Sequence, residues 1–248
     1  MIKLNLPEKP DLLTDELVRD LTAKFKAEGS DVWNAKFIRE AVLAFSYGKC
    51  CYTECKLDEE SKYMEIDHFY AKSAFPDKVV EWGNLLPSSK KSNTTKGEHN
   101  ILTNPIVNPC IDNPKTHLYI SNYRYYPITR IGKETIEVVA LNDRQHFVNK
   151  RSRIGHQVSE MLNNIHDEIE DEAATIIGSP RRQRKLAKNL KSLMQESTRT
   201  NEYSATISTV ILTDEYYPAI ERFFIDNGFW DEELTELKVE LEFCSLRK

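Results

Sequence analysis

The sequence predicts an α+β protein in which a small β-containing core is embedded in a predominantly helical chain. Apolar residues recur at helical spacing in residues 1–48 and again in residues 142–248. Between these regions, the segment from Met64 to His68 has apolar alternation and no helical period. We therefore divide the chain into N-terminal helices (1–48), a core (49–141) that carries the β structure, and a C-terminal helical region (142–248).

Two helices are predicted in the N-terminal region. Thr14 is a suitable N-cap, Gly29 a suitable stop, and one face of the intervening segment is apolar through Leu17, Leu21 and Phe25. A second helix is predicted from Ser30 or Asp31 to Gly48.

The second half of the chain is predicted to be mostly helical. Residues 101–130 contain four prolines and are expected to form an ordered loop wrapped on the core. The segment from Thr135 to Leu141 alternates and is rich in branched residues, which favours an extra strand. Asn142 and Asp143 then cap a long helix, Pro180 fits the first residue of another, and two more are expected around 205–227 and from Asp231.

Length, charge and cysteine content favour a cytoplasmic protein. The 248 residues include five cysteines, an odd number, and two of these are adjacent at Cys50 and Cys51. Such usage does not indicate a disulfide framework and favours reduced thiols. No secretory leader and no membrane-spanning apolar run are recognisable, so we expect no membrane association.

The net charge of −5 disfavours a nucleic-acid partner, but the basic residues are clustered. One cluster surrounds residue 150, and a denser one spans residues 181–191. A basic helix face is often simply solvated, so both interpretations of the denser cluster stay open. The candidate nucleic-acid contacts are Lys72, Lys90, Lys91, Arg181, Arg182 and Arg184.

The core contains an ordered set of polar residues that suits metal-dependent phosphodiester cleavage. Asp67 and Asn93 provide hard oxygen donors, which favour Mg²⁺ or Mn²⁺. His68 is then available as the general base. Asn84 is expected either to hold the imidazole in its productive tautomer or to orient the loop. Lys96 lies one helical turn beyond Asn93, so a helix that starts near Ser92 would direct both side chains at one phosphate.

Asp67 and His68 are adjacent, and this restricts the local structure. Neighbouring residues on a regular strand face opposite sides, so these two can share a site only where the strand bends or ends. Residues 69–73 lose the apolar alternation, which is consistent with a strand end.

These residues resemble the active-site motif of the HNH endonucleases. The last motif position here is Asn93 rather than His, which corresponds to the H-N-N variety of the family. The flanking segments 48–54, 75–86, 104–118 and 135–142 are similar to the HNH proteins of Septu systems and some retrons, the PtuB family. The resemblance covers about residues 30–155. It implies a ββα-metal fold, Asp67 and Asn93 on the metal, and His68 as base.

The same resemblance implies a biological setting. Family members are antiphage nucleases that work with a PtuA-like ATPase, and some belong to retrons with a reverse transcriptase and its RNA/DNA product. DNA is the expected substrate, and residues 142–248 are the expected docking region for the ATPase. Two alternatives stay open: an RNA nuclease acting on tRNA, and a catalytically weak or inactive interaction subunit.

The chain departs from the family at the positions that form a structural zinc site. The two expected Cys-x-x-Cys pairs correspond to Cys50 with Thr53 and to Ser89 with Ser92, and hydroxyls do not replace thiolates on zinc. We therefore expect no structural zinc and a core held by packing of Tyr52, Phe69, Trp82, Leu85 and Leu86. Rescue by Cys51, Cys55 and His99 is the minor alternative. Ala71 replaces the family proline.

Overall fold

The computed structural model describes residues 1–57 and 64–248, which divide into two compact units. The first unit comprises Met1–Leu118 and Tyr125–Phe147, and the second comprises Tyr119–Arg124 and Val148–Lys248. Helices dominate, and the strands are few and short. The predicted α+β class, with little β structure in a helix-rich chain, is confirmed.

The first unit begins with helices α1 (Asp15–Glu28) and α2 (Lys36–Phe45). The predicted ends of α1 are confirmed, because the Thr14 side chain accepts the Leu17 N–H and Gly29 adopts a left-handed conformation with φ of 67°. The second helix begins later than predicted, since a 3₁₀ turn precedes it.

Two strands and a short helix form the part of the first unit that carries the candidate site. Strand β1 (Met64–His68) pairs antiparallel with β2 (Leu85–Ser89), with His68 opposite Leu85. Helix α3 (Lys90–Lys96) follows at once, because the Ser89 side chain caps it by accepting the Ser92 N–H. Thus β1 ends at the Asp67–His68 pair as predicted, whereas α3 begins earlier than Ser92. The five residues expected to hold the core are buried: Tyr52, Phe69, Trp82, Leu85 and Leu86.

The predicted wrapped loop and extra strand require correction. Residues 101–130 include strands β3 (Leu118–Ser121) and β4 (Arg124–Pro127), and the segment predicted as a strand lies largely in helix α4 (Arg130–Val138). Thr129 caps α4 through the Gly132 N–H, and a Cβ on Gly132 would lie 2.0 Å from the His117 carbonyl oxygen. The cap and this close approach outweigh the β propensity of the branched residues.

The second unit is a helical assembly with one apolar core. It contains α5 (Asn149–Ile177), α6 (Pro180–Gln195), α7 (Ser204–Thr213), α8 (Tyr217–Asp226) and α9 (Glu232–Cys244). A π-helical turn precedes α5, and the start of α6 at Pro180 is as predicted. The helix predicted for 205–227 is two helices, because Pro218 stands in the first turn of α8. Within the described ranges, no helix combines the length and apolarity needed to cross a membrane.

Candidate functional site

A small cleft of about 60 Å³ lies where β1 ends beside α3. Asp67, His68, Lys72 and Asn93 are among the residues that line it. Asn84 and Lys96 are buried and are not among the residues that line it. The structure therefore brings the predicted metal ligands and the predicted base together, and it places the other two predicted residues behind them.

The Asp67 carboxylate is held by two buried donors. The Lys96 ammonium lies 2.8 Å from Oδ1, and the Tyr52 hydroxyl donates to Oδ2 at 2.6 Å. Lys96 also donates to the His68 carbonyl oxygen at 2.7 Å. Lys96 thus does not point into the cleft beside Asn93 as expected; it neutralises Asp67 and fixes the end of β1.

The His68 imidazole is oriented by a backbone group. Its Nε2 lies 2.8 Å from the Val79 carbonyl oxygen, so Nε2 carries the proton and Nδ1 keeps a lone pair. Burial lowers the pKa of His68 to about 4, although the bond to Val79 acts in the opposite direction. The imidazole is therefore neutral at pH 7. The edge contact with Trp33, at 4.8 Å between ring centroids, fixes the ring plane.

Asn84 ties together the two chain segments that follow β1. Its Oδ1 accepts the Tyr70 N–H at 2.6 Å, and its Nδ2 donates to the carbonyl oxygens of Tyr70 and Lys78 at 3.1 and 2.9 Å. Lys78 directly precedes Val79, whose carbonyl holds His68. The geometry agrees with the second expected role, orientation of the loop, and the tautomer of His68 is set by Val79. Sequence reasoning missed Val79 because a backbone carbonyl has no side-chain signature.

The Asn93 amide is fixed by Glu65, a residue that sequence reasoning also missed. Asn93 Nδ2 donates to Glu65 Oε2 at 2.7 Å, which leaves Oδ1 available as an acceptor. Glu65 and Asp67 stand two positions apart on β1 and so share a face of the strand. The alternation of residues along β1 was therefore the sequence signal that could have identified Glu65.

The donor set fits a hard divalent cation better than zinc. Asp67 and Asn93 contribute oxygen atoms to one cleft, and Mg²⁺ commonly binds through one or two protein ligands while retaining water. Among residues 1–57 and 64–248, no three His, Cys, Asp or Glu side chains are placed to hold a metal ion. Any ion in the cleft would therefore take its remaining ligands from water or substrate.

The positions that correspond to the family zinc site carry hydrogen bonds. The Ser89 hydroxyl donates to the Ser92 hydroxyl at 3.1 Å, and the Thr53 hydroxyl donates to the Cys55 sulfur at 3.3 Å. His99 instead bonds the Asn104 carbonyl oxygen through Nε2 at 2.7 Å. All five cysteines are free thiols: Cys50, Cys51, Cys55, Cys110 and Cys244.

The three lysines of the first unit that were predicted to contact nucleic acid differ in how far other groups of the protein engage them. Lys72 lies at the cleft with its ammonium 4.8 Å from the Trp33 ring centroid. Lys90 is exposed, whereas Lys91 is paired with Asp143 at 3.2 Å. Lys72 and Lys90 are therefore the more available of the three cations.

The basic clusters of the second unit are divided by ion pairs. Arg182 pairs with Glu172, whereas Arg181 and Arg184 are exposed. In the cluster predicted around residue 150, two cations of the second unit are engaged within the protein. Arg151 is buried and donates to the Tyr123 carbonyl oxygen at 2.9 Å, and Lys150 is paired with Glu202 at 2.9 Å.

Comparison with known proteins identifies the family of this chain. No family model matches it. The chain is 35% identical over 237 residues to the Septu protein PtuB of Bacillus thuringiensis, and the match covers 96% of this chain and 92% of that protein. The similarity spans both units. The chain belongs to the PtuB family of Septu proteins.

Proposed function

We propose that the chain is a Mg²⁺- or Mn²⁺-dependent HNH endonuclease that hydrolyses phosphodiester bonds, with DNA as its substrate. One observation carries the proposal: Asp67, His68 and Asn93 line a single cleft, and fixed neighbours orient each of them. In this proposal β1, β2 and α3 are the ββα-metal core.

His68 acts as the general base. Because the Val79 carbonyl holds the proton on Nε2, the lone pair on Nδ1 can accept a proton from the attacking water. The low pKa keeps His68 unprotonated before the reaction, so no group has to remove a proton from it first. A low pKa also makes the imidazole a weaker base, and the developing negative charge of the substrate phosphate offsets this as it favours the protonated ring.

Asp67 and Asn93 would hold the divalent cation. A bound cation at this position would neutralise the scissile phosphate and stabilise the leaving oxygen. Asn93 presents Oδ1 because Glu65 engages its amide nitrogen, and Lys96 with Tyr52 fixes the Asp67 carboxylate. Lys72, at the edge of the cleft, contacts a neighbouring phosphate.

Membership of the family suggests that the chain acts against phage as part of a complex with other proteins. We propose that the chain is the effector of a Septu defence complex and that an ATPase of the PtuA kind docks on residues 142–248. A retron reverse transcriptase with its RNA/DNA product would be the additional partner in a retron setting. The amount of nuclease activity in the isolated chain is then expected to be small.

A second candidate function is that of an interaction subunit without catalysis. It is favoured by one feature: Asp67 already has Lys96 on one oxygen and Tyr52 on the other, which stabilises the carboxylate without a metal ion. In that case the residues of the cleft would serve the fold alone.

Cleavage by the complex of the full chain with its ATPase separates these candidates. Plasmid DNA and tRNA are offered with Mg²⁺ or Mn²⁺, and products are compared for wild type and His68→Ala. We expect DNA cleavage that needs the cation and falls by at least about 10³-fold in the variant. Equal cleavage by both proteins would contradict the assignment of His68, cleavage of tRNA alone would identify an RNA nuclease, and no cleavage of either would favour the interaction subunit.

A further inference from the structure

The basic run of α6 is divided by ion pairs into two groups of three. Arg182 pairs with Glu172, Lys185 lies 3.3 Å from Glu168, and Lys191 contacts both Asp231 and Glu233. The remaining three cations are exposed and make no ion pair within the described part of the chain: Arg181, Arg184 and Lys188. Half of the cationic run is therefore neutralised by the protein itself.

The three unneutralised cations occupy one face of the helix. Positions 181, 184 and 188 follow the i, i+3, i+7 spacing and fall within an arc of about 60° at 100° per residue. They span about 10.5 Å along the axis. Arg182 and Lys185 stand on one side of this face, where they meet acids of α5, and Lys191 stands on the other, where it meets acids near the start of α9. We call this face the α6 stripe.

The composition of the stripe favours a phosphate backbone over other anionic partners. The exposed large apolar side chains of the described structure include none from α6, whose Leu186, Leu190, Leu193 and Met194 are buried. A membrane-surface helix or a stable protein interface normally adds apolar anchors to its charge. A surface of long, mobile cations without such anchors suits non-specific contact with successive phosphates.

A nuclease with a negative net charge needs a local cationic surface to bind nucleic acid. The formal net charge is −5, so long-range attraction to a polyanion is not supplied by the chain as a whole. The candidate cleft is small, and Lys72 is the one Lys or Arg among the residues that line it. Affinity for nucleic acid must therefore come from local groups of cations that the protein does not already neutralise.

We propose that Arg181, Arg184 and Lys188 of the second unit form a phosphate-binding surface for double-stranded DNA, which gives sequence-independent affinity. This inference deepens the proposed nuclease function and rests on it for the identity of the substrate. It also removes Arg182 from the predicted contacts, since that guanidinium is engaged by Glu172.

Binding of the full chain to a labelled DNA duplex of about 20 base pairs, without divalent cation, tests the proposal over a salt series. The stripe variant is Arg181→Gln with Arg184→Gln and Lys188→Gln, and the control is Arg182→Gln with Lys185→Gln and Lys191→Gln. Both remove three positive charges. We expect the slope of log K against log salt to fall by about 2.7 in the stripe variant and by less than about 1 in the control. At about 0.1 M salt the stripe variant should bind on the order of 10²-fold more weakly.

Several outcomes would overturn the inference. Equal losses in the two variants would mean that only total charge matters. Wild-type binding by the stripe variant, or no binding by the wild type at low salt, would exclude the stripe as a DNA surface. Loss of ATPase co-purification with intact DNA binding would make it a protein contact. A separate assay of Mn²⁺-dependent cleavage distinguishes failure of the stripe proposal from failure of the nuclease proposal. A chain that binds DNA through the stripe but does not cleave it would contradict only the nuclease proposal.

Discussion

The cleft and helix α6 both contain ion pairs, but the pairs do different things. At the cleft, the Asp67 carboxylate pairs with Lys96 behind it; the two side chains are 2% and 1% exposed, and their contact joins α3 to the end of β1. On α6, the lysine that meets Glu168 is 66% exposed. A buried pair fixes the position of a functional group, because an uncompensated buried charge is costly. A surface pair adds little stability, but it determines which cations remain free for a partner.

The largest expected effect on stability is the loss of the buried lysine. Lys96→Met leaves the Asp67 carboxylate buried with only Tyr52 as donor, and we expect the free energy of unfolding to fall by about 3 to 5 kcal/mol. Lys185→Met is the matched change on α6 and should cost less than about 1 kcal/mol. Urea unfolding of both variants measures the difference.

The Lys96 variant also reports on the cation. If Asp67 binds a divalent ion, Mn²⁺ should stabilise Lys96→Met more than wild type, because the ion replaces the missing positive charge. A variant within about 1 kcal/mol of wild type would break the comparison between the buried and exposed pairs.

A smaller effect is expected from acid. Burial depresses the pKa of His68 from the ordinary value of about 6.5 to about 4 in the folded chain, so the unfolded chain binds the proton more readily between these values. The stability associated with neutral His68 is complete above about pH 6.5 and is lost as the pH falls towards about 4. Between about pH 6.5 and 5.5 the loss should be about 1 kcal/mol.

His68→Gln tests this pH dependence, since the amide does not titrate. The variant should show a flatter profile of unfolding free energy over that interval. Identical pH profiles for wild type and variant would mean that His68 titrates normally and is not held neutral by burial.

The smallest expected effect concerns Glu65, which is half-buried and bonds the Asn93 amide. Glu65→Ala should lower stability by only about 0.5 to 1.5 kcal/mol, but it frees Asn93 and should raise the Mn²⁺ concentration needed for half-maximal cleavage by about tenfold. Glu65→Gln keeps an acceptor for Asn93 and should stay near wild type. If alanine and glutamine behave alike at this position, Glu65 does not position Asn93.

The sequence predicted the parts of the fold that depend on local signals. Thr14 and Gly29 identified the ends of α1, Pro180 identified the start of α6, and the loss of alternation after His68 identified the end of β1. It failed at α4, where a cap at Thr129 and a close backbone approach outweighed β propensity.

The site was predicted less completely, because its chemistry depends on contacts distant in sequence. The Asp67–Lys96 pair joins residues 29 apart, and the bond from His68 ends on a backbone carbonyl. Neither has a sequence pattern. The division of the α6 cations likewise depends on acids contributed by α5 and the start of α9, which a count of basic residues along one helix does not reveal.

The most direct test of the cleft is a calorimetric titration of Mn²⁺ into the full chain and two variants. Asn93 and its hydrogen-bond partner Glu65 are both half-buried, so Asn93→Ala removes a proposed ligand without leaving a fully buried charge. We expect Asn93→Ala to weaken Mn²⁺ binding at least about tenfold, and His68→Ala to bind within about twofold of wild type. If His68→Ala loses as much affinity as Asn93→Ala, or Asn93→Ala loses none, then the division of the cleft into cation ligands and a base is wrong.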